Sequence, residues 1–254
     1  MSSKSFSDYK IIQLSDCHVS AARSADYRGL NADKALAGLL PAVRGWQPDL
    51  ILLTGDVSED GSAASYGRVS ARLNSIGAPV VALPGNHDEP ETMKRFFPQG
   101  PWDGPFFFAA RGWQVVLLDS TEAGRIDGVI SEDRLHALER GLKRSLCEHV
   151  LIALHHQPIA VGSPWIDRYA LHDPGNFLTL LGREKRLRCV TWGHVHQAFA
   201  TERDGAAFLG SPSTVANSIP GREKFTLDVG GPACRWYRLF ADGRFETGIL
   251  RGSV

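Results

Sequence analysis

Apolar runs along this chain repeatedly stop at the same kind of residue cluster, and that repetition constrains the fold more than any bulk property. Lys10–Leu14 runs into Ser15-Asp16-Cys17-His18, Leu50–Leu53 into Thr54-Gly55-Asp56, and Pro79–Leu83 into Pro84-Gly85-Asn86-His87-Asp88. Further on, His149–Leu154 runs into His155-His156-Gln157-Pro158, and Arg188–Trp192 into Gly193-His194-Val195-His196. Short runs rich in branched apolar residues read as buried strands. Open α/β sheets gather polar groups beyond the carboxyl ends of their strands. One sheet edge should therefore collect every one of these clusters.

Helical patterns separate the runs. Asp33–Arg44 carries Leu36, Leu39, Leu40 and Val43 on one face, Ser62–Ser75 reads as a second helix, and Ser131 caps a third whose stripe is Leu135, Leu138 and Leu142. Trp113–Leu118 adds another strand. Past residue 200, Asp204-Gly205 and Asp242-Gly243 separate runs of strand composition, which marks hairpins. βα units followed by antiparallel hairpins predict a mixed α/β (α+β) architecture with helices on the outer faces, rather than a pure Rossmann sheet. The 254 residues show no repeat, low-complexity tract or linker, so residues 1–254 are expected to form a single domain.

Charge narrows the partners. Lys plus Arg and Asp plus Glu both number 28, giving zero formal net charge. Neither a nucleic-acid coat nor a membrane-surface binder is expected from that balance. Cys17, Cys147, Cys189 and Cys234 are scattered without C-x-x-C spacing, which suggests neither a zinc knuckle nor a disulfide framework. Met1–Lys10 is polar with no apolar leader core, and no apolar run approaches the roughly 20 residues that span a bilayer. The expected location is the cytoplasm.

The clusters carry the chemistry. Residues two apart in an extended segment share a face, so Asp16 with His18, and His194 with His196, can grip one ion. Taken alone each piece is weak: Thr54-Gly55-Asp56 reads equally as a turn, and Gly85–Asp88 as a loop held by its own side chains. Together they offer mixed oxygen and nitrogen donors, which suit iron, manganese or zinc, and the scarcity of Cys argues against structural zinc.

In this order D-x-H, G-D, G-N-H-D, H-x-P and G-H-x-H resemble the calcineurin-like metallophosphoesterase signature, from Asp16 to His196. His155-His156-Gln157-Pro158, Trp165-Ile166-Asp167, the Gln after G-H-x-H, Ser211–Thr214 and Phe225-Thr226-Leu227-Asp228 extend the likeness to the bacterial class III 3′,5′-cyclic AMP phosphodiesterases. The resemblance implies a four-layer α/β/β/α sandwich holding two metal ions, with Fe²⁺ favoured and Mn²⁺ or Zn²⁺ as alternatives. It implies that Asp16, His18, Asp56 and His196 hold one ion, and that Asp56 bridges to a second completed by Asn86, His156 and His194. His156 is chosen as the histidine two before Pro158, leaving His155 as a support or packing residue. His87 is implied as the catalytic group beside the phosphate, acting with Asp56, while His18, Asn86, His87 and His196 border the substrate.

The implied reaction is hydrolysis of 3′,5′-cyclic AMP to 5′-AMP by a hydroxide shared between the metals. A broad-specificity phosphodiesterase of the same superfamily, acting on glycerophosphodiesters or 2′,3′-cyclic nucleotides, is the rival. A protein-binding scaffold is the reading from another class, and the complete donor set speaks against it. The expected partner is a small cyclic nucleotide, bound by a monomer or homodimer. Trp165 and Ser211–Thr214 are candidates for the base pocket, although a tryptophan is more often core. His136, His149 and His172 fall outside the motifs and are expected to be structural or surface residues.

Overall fold

The structure, a computed structural model, describes residues 8–252. Most of the polar amino-terminal stretch read above, residues 1–7, lies outside them. The chain order is β1 (Tyr9–Leu14), α1 (Ala32–Trp46), β2 (Leu50–Thr54), α2 (Ala63–Asn74), β3 (Val80–Leu83), α3 (Pro90–Lys94), β4 (Phe106–Ala110) and β5 (Trp113–Leu117). There follow α4 (Glu132–Arg144), β6 (His149–Leu154), α5 (Pro164–Asp167), α6 (Gly175–Arg183), β7 (Leu187–Trp192), β8 (Phe199–Arg203) and β9 (Ala206–Gly210). The chain closes with β10 (Asn217–Ser218), β11 (Leu227–Asp228), β12 (Ala233–Leu239) and β13 (Phe245–Arg251).

Local signals start and stop these elements. The side chains of Asn31, Ser62 and Ser131 accept the N–H groups of Lys34, Ser65 and Arg134, satisfying otherwise orphaned donors at the starts of α1, α2 and α4. Asp204 and Gly205, at φ 53° and 80°, form the expected two-residue turn between β8 and β9. Asp242-Gly243 sits in a longer connection between Leu239 and Phe245, where only the glycine is left-handed. Sequence reading missed β4, which hairpins onto β5 through Arg111-Gly112 at φ 49° and 82°.

Two sheets result, with strand orders β13-β12-β1-β2-β3 and β4-β5-β6-β7-β9-β8. Strands β1 to β3 run parallel, as do β5, β6, β7 and β9, while the antiparallel strands lie toward the sheet edges. Alternation along each strand splits the apolar residues between two cores. Ile11, Leu50, Leu52 and Val81 meet Val115, Leu117, Leu151 and Ala153 between the sheets. On the outer faces, Ile12 and Leu53 pack against Leu36, Leu39 and Val43 of α1, and Val116 and Ile152 against Leu138 of α4 and Leu181 of α6. Each fully buried Leu or Ile contributes about 1.5–3 kcal/mol, so this layering is strongly specified. The expected α/β/β/α sandwich is the observed one. No helix among the described residues is long and apolar enough to cross a membrane.

A polar network interrupts the inter-sheet core just beneath the strand ends. Gln13 of β1 donates to Thr54 Oγ1 (3.0 Å) and Trp192 O (3.2 Å), and accepts from Thr191 Oγ1 (2.7 Å) and Tyr237 Oη (2.8 Å). That network pins β1 and β2 of one sheet to β7 of the other, where both sheets present their carboxyl ends.

Candidate metal centre

The loops after β1, β2, β3, β6 and β7 converge at that edge. Those after β1 and β2 stay paired beyond the strands: Asp16 N donates to Gly55 O and His18 N to Asp56 O, each at 2.9 Å. The third loop is tied in by Asp88, whose carboxylate accepts the N–H groups of Gly85, Val57 and Ser58 and the Tyr66 hydroxyl. Burial, and then the nearby Asp56 charge, raise the Asp88 pKa to about 6. The backbone of His87 donates to Asp56 Oδ1 (2.9 Å), and the backbone of His194 donates to both oxygens of Asp16 (3.1 and 3.0 Å). Five donor residues sit in the left-handed region: Asp16 (φ 53°), His18 (45°), Asp56 (49°), His194 (65°) and His196 (49°). For residues bearing a Cβ this is strained backbone, of the kind that surrounding structure must impose.

The imidazoles are oriented by a common device. Nδ1–H of His18 donates to Glu59 Oε2 (2.7 Å), that of His196 to Ala216 O (2.7 Å), and that of His155 to Thr54 O (2.8 Å). A carbonyl or carboxylate oxygen only accepts, so each ring is tied at Nδ1 and turns its Nε2 to the interior, where that of His18 also meets the Tyr27 hydroxyl at 3.0 Å. Metal-binding histidines are fixed in tautomer and direction in the same way. His196 Nε2 lies 3.3 Å from Asp16 Oδ1, and His18 Nε2 3.3 Å from His196 Nε2 and 3.7 Å from Asp56 Oδ2. On the other side His155 Nε2 lies 3.4 Å from Asp56 Oδ2 and 3.3 Å from Asn86 Oδ1. Asp56 thus stands between two groups of donors.

Electrostatics agree with the geometry. Burial alone would raise the carboxyls of Asp16 and Asp56, but His196 beside the first and His155 beside the second hold both below the usual carboxylate range. Burial works against the His155 cation too, yet Asp56 and Asp16 lift its pKa to about 9. A proton on that ring therefore balances charge where a cation would otherwise sit. His194 is pushed well down by burial and by the neighbouring histidines. Its Nε2 is buried without a partner, and no hydrogen bond from its ring to the described residues satisfies it. A buried, neutral, unpartnered imidazole set between two other histidines and near Asp56 fits a transition-metal ion better than a structural role.

The histidine pair after β6 is placed differently from the expectation. His155, expected to face away, is the residue turned toward Asp56 and Asn86. His156, expected in the donor set, is near: its ring lies 4.8 Å from that of His155 and 4.7 Å from that of His194. Both of its nitrogens are already used, however. Nδ1 pairs with the Ser120 hydroxyl (2.9 Å) and Nε2–H with Ile126 O (3.0 Å), and burial lowers its pKa to about 3. His156 nevertheless sits with His155 and His194 in a group whose donor nitrogens lie within 4.8 Å of one another, so its hydrogen bonds to Ser120 and Ile126, not its distance, set it apart from His155. The other expected donors, Asp16, His18, Asp56, Asn86, His194 and His196, are brought together.

Over the centre opens a cleft of about 230 Å³. His18, Asn86, His87, His194 and His196 form its floor and one side, while Tyr27, Arg28, Ile126, Trp165, Ile166 and Tyr169 form an aromatic and apolar wall. His87 stands at the mouth, its Nδ1 3.2 Å from Glu59 Oε2. Glu59 and Tyr27 were not singled out from sequence. Glu59 orients both His18 and His87, and Tyr27 stacks on His18 at 4.0 Å with its hydroxyl 3.0 Å from His18 Nε2. The acidic residue three past Asp56 was the available signal for Glu59; Tyr27 had none. Trp165 lines the cleft as well as packing.

Ser211–Thr214, considered for the base, is instead buried support: Ser213 Oγ donates to Asp16 O (2.8 Å), and Thr214 N to Ser15 O (3.1 Å). His149 is buried with Nε2 against Ala241 O, and His172 is largely exposed. A larger groove of about 560 Å³ between α4 and α6, with His136 on its wall, carries charges of both signs but no convergent donor set.

Residues 9–198 match the Calcineurin-like phosphoesterase family. The chain is 40% identical over 243 residues to the 3′,5′-cyclic adenosine monophosphate phosphodiesterase CpdA of Pseudomonas aeruginosa, covering 95% of this chain and 89% of that protein. It is 34% identical over 245 residues to the protein of the same name from Escherichia coli K12, with the same coverage. Its fold superposes on a dimetal phosphatase from Danio rerio with a TM-score of 0.66 at 16% identity, covering 97% of this chain and all of that one. With the family match spanning most of the described chain and these relatives aligned nearly end to end, the chain belongs to the calcineurin-like phosphoesterase family.

Proposed function

We propose that this chain hydrolyses 3′,5′-cyclic AMP to 5′-AMP at a dinuclear site held by Asp16, His18, Asp56 and His196 on one side and Asp56, Asn86, His155 and His194 on the other. The observation that carries the reading is the shared orientation of His18, His155 and His196, each tied at Nδ1 and turned at Nε2 toward Asp16 or Asp56. The likeness to the two CpdA phosphodiesterases supports the choice of substrate. Iron in the ferrous state is the proposed metal, with manganese as a working substitute; both suit this mixture of imidazole, carboxylate and amide donors.

When bound, a metal pair supplies a nucleophile at neutral pH and positive charge for the phosphate oxygens. The protein does the rest. Asp56 is fixed by the His87 backbone N–H and so presents its second oxygen to the centre. His87, held at Nδ1 by Glu59, offers Nε2 at the mouth of the cleft, where it hydrogen-bonds the phosphate or protonates the departing 3′-oxygen. Tyr27 backs His18, and the aromatic wall removes water from one side of the substrate.

The test is to load the purified protein with Fe²⁺ or Mn²⁺ and compare kcat/KM for 3′,5′-cyclic AMP, 2′,3′-cyclic AMP and bis-p-nitrophenyl phosphate, with Asp56→Asn as the inactive control. A clear preference for the 3′,5′-cyclic nucleotide, abolished in the variant, is expected. Good turnover of the artificial diester with little on cyclic AMP would instead favour a broad-specificity phosphodiesterase.

A further inference from the structure

Arg28 occupies a position that an arginine does not take for its backbone's sake. Tyr27 N donates to Leu30 O (2.8 Å) and Leu30 N to Tyr27 O (3.0 Å), with Arg28 and Gly29 between them at φ 52° and 84°. Two consecutive left-handed residues make a type I′ turn, whose central positions favour Asn, Asp and Gly. A side chain with a Cβ sits there under strain, and such strain collects at functional sites.

The side chain is placed by three separate segments. Its guanidinium carbon lies 4.0 Å from the centre of the Phe225 ring, on its face, 5.8 Å from Trp165 and 5.5 Å from Tyr27. Phe225 comes from the β10–β11 connection and Trp165 from α5, and their rings meet edge to face at 5.3 Å. Arg28 Nε donates to Tyr27 Oη (3.3 Å), and no carboxylate among the described residues pairs with this cation. The guanidinium is thus an uncompensated planar charge laid on an aromatic face at the wall of the cleft.

Its distance from the donor cluster identifies what it meets. The Tyr27 hydroxyl lies between Arg28 Nε and His18 Nε2, 3.3 Å from one and 3.0 Å from the other. A single hydroxyl oxygen thus stands between the guanidinium and the donor cluster, so Arg28 lies immediately outside the place a phosphate would take. The nucleoside half of the substrate extends outward to that depth. Nucleobases stack on aromatic rings and on guanidinium planes, and cations on aromatic faces reinforce such stacks.

We propose that Arg28, flattened on Phe225, is the substrate-recognition residue for the base of a cyclic nucleotide. The inference rests on the cyclic-nucleotide reading above. It also gives a role to the Phe225 segment and to Trp165, which the donor set does not use.

The experiment uses the metal-loaded enzyme with 3′,5′-cyclic AMP and with ribose 3′,5′-cyclic phosphate, which lacks a base. Arg28→Lys and Arg28→Asn are both expected to raise KM for cyclic AMP roughly ten- to hundredfold, the scale of losing one stacked base, with kcat held within about threefold. Neither variant should alter turnover of the base-free substrate. Because Asn suits the turn, Arg28→Asn should keep its Tm within about two degrees of wild type or raise it. Recovery of cyclic AMP affinity in Arg28→Lys would overturn the proposal in favour of a simple charge. Equal losses on both substrates, or a fall in Tm that tracks the activity loss, would overturn it as well. If wild type itself is inert toward cyclic AMP, the substrate reading falls; an active wild type with indifferent Arg28 variants sinks this inference alone.

Discussion

Replacing His155 and His156 one at a time separates two tasks that adjacent, identical residues perform. In His155→Ala the Thr54 carbonyl keeps the Ser15 hydroxyl at 3.0 Å, so no outer group is orphaned, but the only imidazole facing both Asp56 and Asn86 is lost. Disturbing even the outer partners of a metal ligand costs roughly 10–100-fold in metal affinity, so deleting the ligand should cost at least that. In His156→Ala the donor set is intact, while the Ile126 carbonyl loses its donor and the Ser120 hydroxyl loses its acceptor. One buried and one part-buried hydrogen bond, with the space left by the ring, amount to about 2–4 kcal/mol. At this chain length that corresponds to a Tm lowered by roughly 5–15 °C. Metal analysis of the purified variants, kcat at saturating metal, and thermal unfolding of metal-free protein are the three readouts. His155→Ala should bind about one ion less than wild type and lose about a hundredfold or more in kcat. His156→Ala should keep its metals and most of its kcat while melting early. The converse result, metal lost from the His156 variant and retained with full activity in the His155 variant, would refute the assignment.

A Cβ at Gly85 would overlap the carboxylate and the amide of Asp56, so Gly85→Ala should abolish stoichiometric metal binding, read by metal analysis, although it replaces no donor. Gln13→Ala removes the acceptor shared by the Thr191 and Tyr237 hydroxyls, which keep each other at 2.7 Å, and leaves a gap between the sheets; it should lower stability by about 2–3 kcal/mol in urea unfolding, leaving kcat of the folded enzyme within about threefold. His155, with a pKa lifted to about 9 in the metal-free protein, is protonated at neutral pH and must release that proton to bind metal. Apparent metal affinity should therefore rise about tenfold per pH unit from 7 toward 9 and then level off. Titration calorimetry in buffers of different ionisation enthalpy should count one proton released at neutral pH.

Much of this architecture was legible because it obeys short-range rules. Apolar runs bounded by Gly, Asp and Asn became β1, β2, β3, β6 and β7, and capping serines opened α2 and α4. What escaped prediction was set by distant partners. β4 pairs through an Arg-Gly turn that lacks the usual Asn or Asp, and the short α5 begins at Ser163 with no side-chain cap, although Asp167 accepts the Ser163 and Val161 N–H groups. The site shows the same division. The residue types and their order along the chain were visible; the role of each member of the His155-His156 pair was not. That choice depends on Thr54, Ser120 and Ile126, which lie 101, 36 and 30 positions away in the chain.

The reason given for the paired motifs was also incomplete, and the difference has a physical content. Asp16 with His18, and His194 with His196, were expected to share a face of an extended segment. Both pairs lie beyond their strands, and all four residues are left-handed. Each αL residue turns the chain, so an αL-x-αL sequence can point two side chains at one locus from a far tighter arc than a strand allows. The geometry is held by the mutual pairing of the β1 and β2 loops and by the grip of Asp16 on the His194 amide. Counting Asp56, five strained residues at about 1–3 kcal/mol each store an energy comparable to the whole stability of a domain. The packed sheets beneath supply the stability that makes such a loop cluster tolerable. The rigidity of the inter-sheet core is therefore a condition for the donors to exist as a site before any metal arrives.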